Sequence, residues 1–222
     1  MSSFAWQVAL PERGSSSLGK RKPRASLMVR QGEDFEEIQV PVIVAKAMNK
    51  AHESGRLTPS SRAELLFELK RVETNHAMDK VSELVNRRDY SRVELSSKLS
   101  GYGFPSSIVE LVLDRAVACG LVDDRRFASA YIRSKLLAGW GERRIARELL
   151  LRGIDVNDVE GWPYEFFDPE SEVERAYSLI IRKRVSGKDP YGKLMRFLVG
   201  KGFAYGVANS AVRMALNDED ID

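Results

Sequence analysis

Gly139-Trp140-Gly141-Glu142-Arg143-Arg144-Ile145-Ala146-Arg147-Glu148-Leu149-Leu150-Leu151-Arg152-Gly153-Ile154 contains an apolar pair four residues apart, Ile145 and Leu149. A glycine follows four residues later, Gly153, with an apolar residue, Ile154, directly after it. Residues four apart stand one above the other on a helix, so Ile145 and Leu149 share a face. A glycine beyond that face ends the helix in a left-handed conformation that a Cβ resists. Ile154 then pins the turn, and Val159 opens the next apolar face. The same pattern stands about fifty residues earlier in Leu95, Leu99, Gly103, Phe104 and Ile108, and about fifty later in Leu194, Leu198, Gly202, Phe203 and Val207. A fixed period of this size signals a tandem array of supersecondary units that need neighbours for stability.

The helix starts agree. Ser91-Arg92-Val93-Glu94 is a capping box, in which hydroxyl and carboxylate satisfy free amides. Gly141 precedes Glu142 at the matching place in the second copy, and Asp189-Pro190 supplies an N-cap and a first-turn proline in the third. A further helix face precedes each copy: Ala77, Val81, Leu84 and Val85; then Phe127, Ala130 and Tyr131; then Val173, Ala176, Tyr177 and Ile180. The expected fold is all-α, an elongated tandem array of three three-helix repeats over residues 75–120, 121–163 and 164–216. Before the array, residues 36–74 read as a helical N-terminal extension, with one helix starting around Pro41. Another follows the capping box Ser61-Arg62-Ala63-Glu64, with Leu65, Leu66, Leu69 and Val72 at helical spacing. Residues 1–35 hold Ser15, Ser16, Ser17 and Gly19, followed by Lys20, Arg21, Lys22, Pro23 and Arg24. Such a stretch buries too little surface to offset chain entropy and reads as a disordered basic tail. Residues 217–222 form a short acidic tail.

Several function classes fall away. A single cysteine, Cys119, rules out an intramolecular disulfide and suits a reducing cytoplasm; it is expected as buried filler at a helix end. No apolar run approaches a membrane span, and the first ten residues lack the basic-then-apolar pattern of a signal peptide. Gly14-Ser15-Ser16-Ser17-Leu18-Gly19-Lys20 resembles a phosphate-binding loop, but Arg21 stands where Ser or Thr should hold magnesium, and no strand is expected before it. Asp123 and Asp124 read as an N-cap and a first-turn charge. His52 and His76 lie far apart without a cysteine cluster, so zinc is not expected. The join after Gly161 is rich in aromatics (Trp162, Tyr164, Phe166 and Phe167), of which Trp162 and Phe166 are expected to pack between repeats rather than stack on bases. No catalytic constellation, cofactor site or metal site emerges, and the chain is expected to act by binding, as a monomer.

The chain carries a net charge of +3, with charged residues at 30%, so the placement of charge matters more than its total. The second copy holds Arg143, Arg144, Arg147 and Arg152 on or just after one helix, with Arg143 and Arg147 on one face. The third holds Arg182, Lys183, Arg184, Lys188, Lys193, Arg196 and Lys201. In the first, Asp79, Glu83, Asp89, Glu94, Glu110 and Asp114 offset the bases. A basic stripe along successive repeats suits a polyanion or an acidic protein partner, with steep salt dependence in the first case. The candidate contacts are Arg143, Arg144, Arg147, Arg152, Arg182, Lys183, Arg184, Lys193, Arg196 and Lys201. Short three-helix units also admit a helix-turn-helix-type DNA-binding regulator, and a scaffold without nucleic acid.

Several segments resemble the RecX family. They are Arg88-Asp89-Tyr90-Ser91-Arg92-Val93-Glu94-Leu95-Ser96-Ser97-Lys98-Leu99; Gly120-Leu121-Val122-Asp123-Asp124-Arg125-Arg126-Phe127-Ala128; Ala130-Tyr131-Ile132-Arg133-Ser134; and Gly139-Trp140-Gly141 before Arg144-Ile145. The resemblance spans about residues 75–216, more loosely in the third copy, and leaves the extension before residue 75 outside. It implies a non-enzymatic cytoplasmic modulator, mainly an inhibitor, of the RecA recombinase. Such a protein binds RecA filaments on single-stranded DNA, with duplex DNA as a further candidate, and lowers ATPase, strand-exchange and co-protease activity. It implies no catalytic residues, and Gly139, Trp140 and Gly141 read as fixing a helix entry.

Overall fold

Apolar residues alternate along Arg24–Gln31 (β2), where Ala25, Leu27 and Val29 are buried and the residues between them are not. This period of two belongs to a half-buried strand. In the computed structural model, which describes residues 4–11, 23–181, 183 and 188–219, β2 lies between Phe4–Ala9 (β1) and Asp34–Pro41 (β3) in an antiparallel sheet of order β1-β2-β3. The register sets Trp6 beside Val29, and Val8 and Ile38 on either side of Leu27, so the centre of one face is apolar, with Glu36 beside Val29 toward the hairpin end. The β2–β3 turn is Gly32-Glu33, with Gly32 at φ 65°, the glycine-first pattern of a two-residue hairpin.

Two compact units divide the chain, residues 1–123 and 124–222. In the first unit the sheet is followed by the helices Val42–Glu53 (α1), Arg62–Val85 (α2), Arg92–Gly101 (α3) and Ser106–Ala118 (α4). Ser61 caps α2 by accepting the Glu64 N–H, while the Glu64 carboxylate accepts the N–H of Ser60. Both halves of the Ser91/Glu94 box are formed at α3. One core joins sheet and helices, running from Leu27 and Val40 through Met48, Leu65 and Ala77 to Leu95, Leu99 and Val112.

The second unit holds Asp124–Leu137 (α5), Glu142–Leu150 (α6), a 3-10 turn at Val156–Asp158, Pro169–Ile180 (α7), Pro190–Lys201 (α8) and Tyr205–Glu219 (α9). It has two cores. One gathers Phe127, Ala128, Ile132, Ile145, Leu149, Ile154, Val159 and Phe167; the other gathers Ala176, Ile180, Leu194, Met195, Leu198, Phe203, Ala208, Ala211 and Val212. The repeat glycines behave alike: Gly103, Gly153 and Gly202 have φ of 92°, 77° and 97°. The chain is mainly helical, and no helix among the described residues is long and apolar enough to cross a membrane.

Several expectations need correction. Strands β1 and β2 fall in the expected disordered tail, and β3 reaches into the expected helical extension, because apolar alternation there outweighs the polar composition around it. Residues 12–22, which hold the loop-like Gly14 to Lys20, lie outside the described residues. Strand β1 stands before that stretch, and β2 is the next element among the described residues. The boundary expected between residues 74 and 75 falls inside α2, which runs unbroken for 24 residues. In the second copy the third helix is only a 3-10 turn, where the Asp155 side chain accepts the Asn157 N–H and Gly161 and Pro163 follow. Short polar side chains that bond the local backbone compete with helix continuation. Phe167 is buried in the second repeat's own core, with Trp162 and Phe166 packed against it and the Trp162 and Phe167 rings 5.2 Å apart. Cys119 is exposed, at the end of α4, not buried.

Glu73 on α2 is buried, and desolvation pushes its carboxyl up to about 7 against the pull of Arg24. The folded state therefore holds this proton where the unfolded chain releases it, and stability falls as pH rises from the ordinary carboxylate range to about 7. Glu73→Gln is expected to raise the thermal midpoint of the first unit at pH 8 and to leave it nearly unchanged at pH 4, read by circular dichroism.

Candidate partner-binding surface

Helix α6 forms because Gly141 takes the N-cap position, Glu142 lies in the first turn, Ile145 and Leu149 bury one face, and left-handed Gly153 follows. Its start rests on the end of α8. The Gly141 N–H donates to the Lys201 carbonyl at 2.9 Å, and the Arg143 N–H donates to the Gly202 carbonyl at 3.1 Å. A Cβ on Gly141 would lie 2.5 Å from the Gly202 carbonyl carbon and the Phe203 nitrogen, so only glycine allows this approach. On the other side, the site of a Cβ on Gly202 is taken by the backbone and Cβ of Arg144.

This junction sorts the arginines. Arg144 is half-buried: its guanidinium lies 3.8 Å from the Trp140 ring centroid and donates to the Gly200 carbonyl at 3.4 Å, and its Nε is buried without a partner. Arg152 is also half-buried, bonded to the Glu148 carbonyl and carboxylate and set 4.8 Å from the Tyr131 ring centroid. Arg143 and Arg147 are exposed on one side of α6. In the third copy Lys193 and Arg196 are exposed on α8, with Arg196 3.6 Å from Asp189. Lys183 is exposed with its ammonium 4.3 Å from the Phe197 ring centroid, and Lys201 is half-buried beside the same ring. Arg182 and Arg184 lie outside the described residues. The structure thus brings Arg144, Lys201 and the Gly139-Trp140-Gly141 entry together as parts of a junction, and leaves Arg143, Arg147, Lys193 and Arg196 facing solvent.

Sequence reasoning passed over Arg175 of α7. It pairs with buried Glu172, donates to the Trp140 carbonyl at 3.0 Å and lies 5.7 Å from the Phe203 ring centroid. Burial holds its guanidinium below the ordinary value. Its position one turn after a glutamate was visible, but the contact across 35 residues was not. Exposed Leu150 was also passed over, although Leu149-Leu150-Leu151 holds three apolar residues in a row and a helix can bury only part of such a run. Among the described residues no group of three or more His, Cys, Asp and Glu is placed to hold a metal ion.

A repeat of short helices with a basic outer side is the class of protein these features define. Residues 123–160 match the family described as "RecX, second three-helix domain". Over 145 residues the chain is 33% identical to the regulatory protein RecX of Vibrio vulnificus, covering 64% of this chain and 91% of that one. It is 36% identical over 132 residues to the regulatory protein RecX of Thermus thermophilus, covering 60% of this chain and 87% of that one. The crystal structure of RecX from Lactobacillus salivarius has a similar fold, with a TM-score of 0.54 at 19% identity over 64% of this chain and 96% of that one. Another crystal structure of a regulatory protein RecX gives 0.56 at 16% identity over 93% and 97%. The chain belongs to the RecX family.

The junction is open to direct test. Gly141→Ala is expected to cost about 1–3 kcal/mol, as overpacking against fixed backbone does. Gly200→Ala meets open space in α8 and is expected to stabilise by about 0.5–1 kcal/mol. Urea unfolding followed by circular dichroism distinguishes them; equal effects would mean that the Gly141–Gly202 approach is absent in solution.

Proposed function

We propose that this protein is a non-enzymatic, cytoplasmic modulator of RecA, acting mainly as an inhibitor. It binds RecA filaments on single-stranded DNA and lowers their ATPase, strand-exchange and co-protease activity. Membership of the RecX family carries this reading, since the family resemblance implies regulation of RecA. The exposed basic residues Arg143, Arg147, Lys193 and Arg196 support it, because a cationic helix face suits the acidic surfaces of a nucleoprotein filament. Arg144 and Arg152, held by internal contacts, act through the fold and not as free contacts.

The test is RecA's hydrolysis of ATP on single-stranded DNA, with purified protein added at rising ratios. Hydrolysis is expected to fall as the ratio rises. Unchanged hydrolysis with no filament binding would discard the reading and leave a helix-turn-helix-type DNA-binding regulator to be pursued. Replacing Arg143 and Arg147 together by Ala is expected to weaken the inhibition while far-ultraviolet circular dichroism stays the same. Unchanged inhibition at several salt concentrations would count against the basic face.

A further inference from the structure

The outward stripe of α6 is not purely basic. Arg143, Arg147 and Leu150 follow one another at four and three residues, which places them along a single strip of the helix. All three are exposed, Leu150 by 63%. The third repeat carries the last two members of this strip, with Gly192 at the place of Arg143. Aligning Ile145, Leu149 and Gly153 with Leu194, Leu198 and Gly202 sets Arg196 at the place of Arg147 and Val199 at the place of Leu150. Arg196 and Val199 are exposed too, Val199 by 47%. The contact of Arg196 with Asp189 is 3.6 Å long between side chains 70% and 58% exposed, so it holds the guanidinium only weakly. In the first repeat the corresponding residues are Ser97 and Ser100.

A single exposed aliphatic side chain is ordinary on a protein surface. An arginine followed three residues later by an exposed aliphatic, at the same place in two neighbouring repeats, is a repeated feature. Its chemistry selects the partner. A phosphate backbone rewards the guanidinium and offers nothing to Leu150 or Val199. A protein surface with a carboxylate beside an apolar hollow satisfies both halves, the ion pair gaining from the water that the aliphatic contact excludes. Two equivalent dyads in one unit fit a partner that is itself a repeat of identical subunits.

We propose that Arg147–Leu150 and Arg196–Val199 are two equivalent docking dyads for a protein filament, each taking an acidic residue flanked by an apolar hollow on the filament surface. The assignment rests on the RecA reading above and names the chemistry by which that partner is held. It separates protein recognition, through the dyads, from any contact with DNA.

The experiment compares wild type with Leu150→Ser/Val199→Ser and with Arg147→Gln/Arg196→Gln, all full-length. Two affinities are measured: for RecA filaments on single-stranded DNA, by co-sedimentation, and for the same DNA without RecA, by fluorescence anisotropy. All four substituted side chains are exposed, so the melting temperatures should match wild type. The serine pair is expected to weaken filament binding by about tenfold or more, as loss of a central apolar contact does, with DNA affinity unchanged. The glutamine pair is expected to weaken filament binding and flatten its salt dependence. Filament binding unchanged in the serine pair would overturn the dyads while leaving the RecA reading intact. An equal loss in the DNA-only measurement would also overturn them and assign the strip to DNA. Wild type that fails to bind filaments at all would overturn the RecA reading itself.

Discussion

Where α6 begins and α8 ends, two stretches of backbone meet with no side chain between them. Gly141 and Gly202 are the residues that allow it, and the amides of Gly141 and Arg143 bond the carbonyls of Lys201 and Gly202 across the contact. Amides at a helix start have no intrahelical partner, and carbonyls at a helix end have none either. Each repeat thus satisfies groups the other leaves open. Arg144 folds over Trp140 and reaches the Gly200 carbonyl, and Arg175 ties Trp140 to its own helix from the other side. With these contacts in place, α6 and α8 each turn one side to a core and the other to solvent.

That division gives the basic residues different tasks. Arginine can use its stem for packing and its planar head for stacking, so an arginine in a sequence is not by itself a free surface charge. Arg144 and Arg152 cover aromatic rings inside the unit, while Arg147 and Arg196 project from matching places in consecutive repeats. The repeat that makes the fold therefore also repeats the outward chemistry in its second and third copies. Serines at those places make the first copy different, and its sheet gives that unit a core of another composition.

Much of the helical part was legible because its signals are local. A left-handed glycine after an apolar pair, a Ser-x-x-Glu box and an Asp-Pro helix start each depend on a few neighbouring residues, and Gly103, Gly153, Gly202, Ser91 and Asp189 all behave accordingly. The sheet was hidden by its surroundings. Phe4, Trp6 and Val8 alternate with smaller or polar residues, as do Ala25, Leu27 and Val29, yet the Ser- and Lys-rich stretch between them dominates the composition. Antiparallel pairing across that gap is a long-range fact that periodicity alone does not supply. The surface was half legible for the same reason. Clustering showed where arginines concentrate, but which of them fold back onto Trp140 or Tyr131 depends on contacts between distant residues.

Footprinting of the complex shows which helices meet the filament. RecA filaments on single-stranded DNA would be mixed with this protein, exposed side chains labelled by a photochemically generated carbene, and labelling compared residue by residue with the free protein. Protection is expected at Arg147, Leu150, Arg196 and Val199, with little change at Val93, Ser97 and Ser100 on α3. Protection centred on α3, or none on α6 and α8 while the complex is intact, would contradict the two docking dyads.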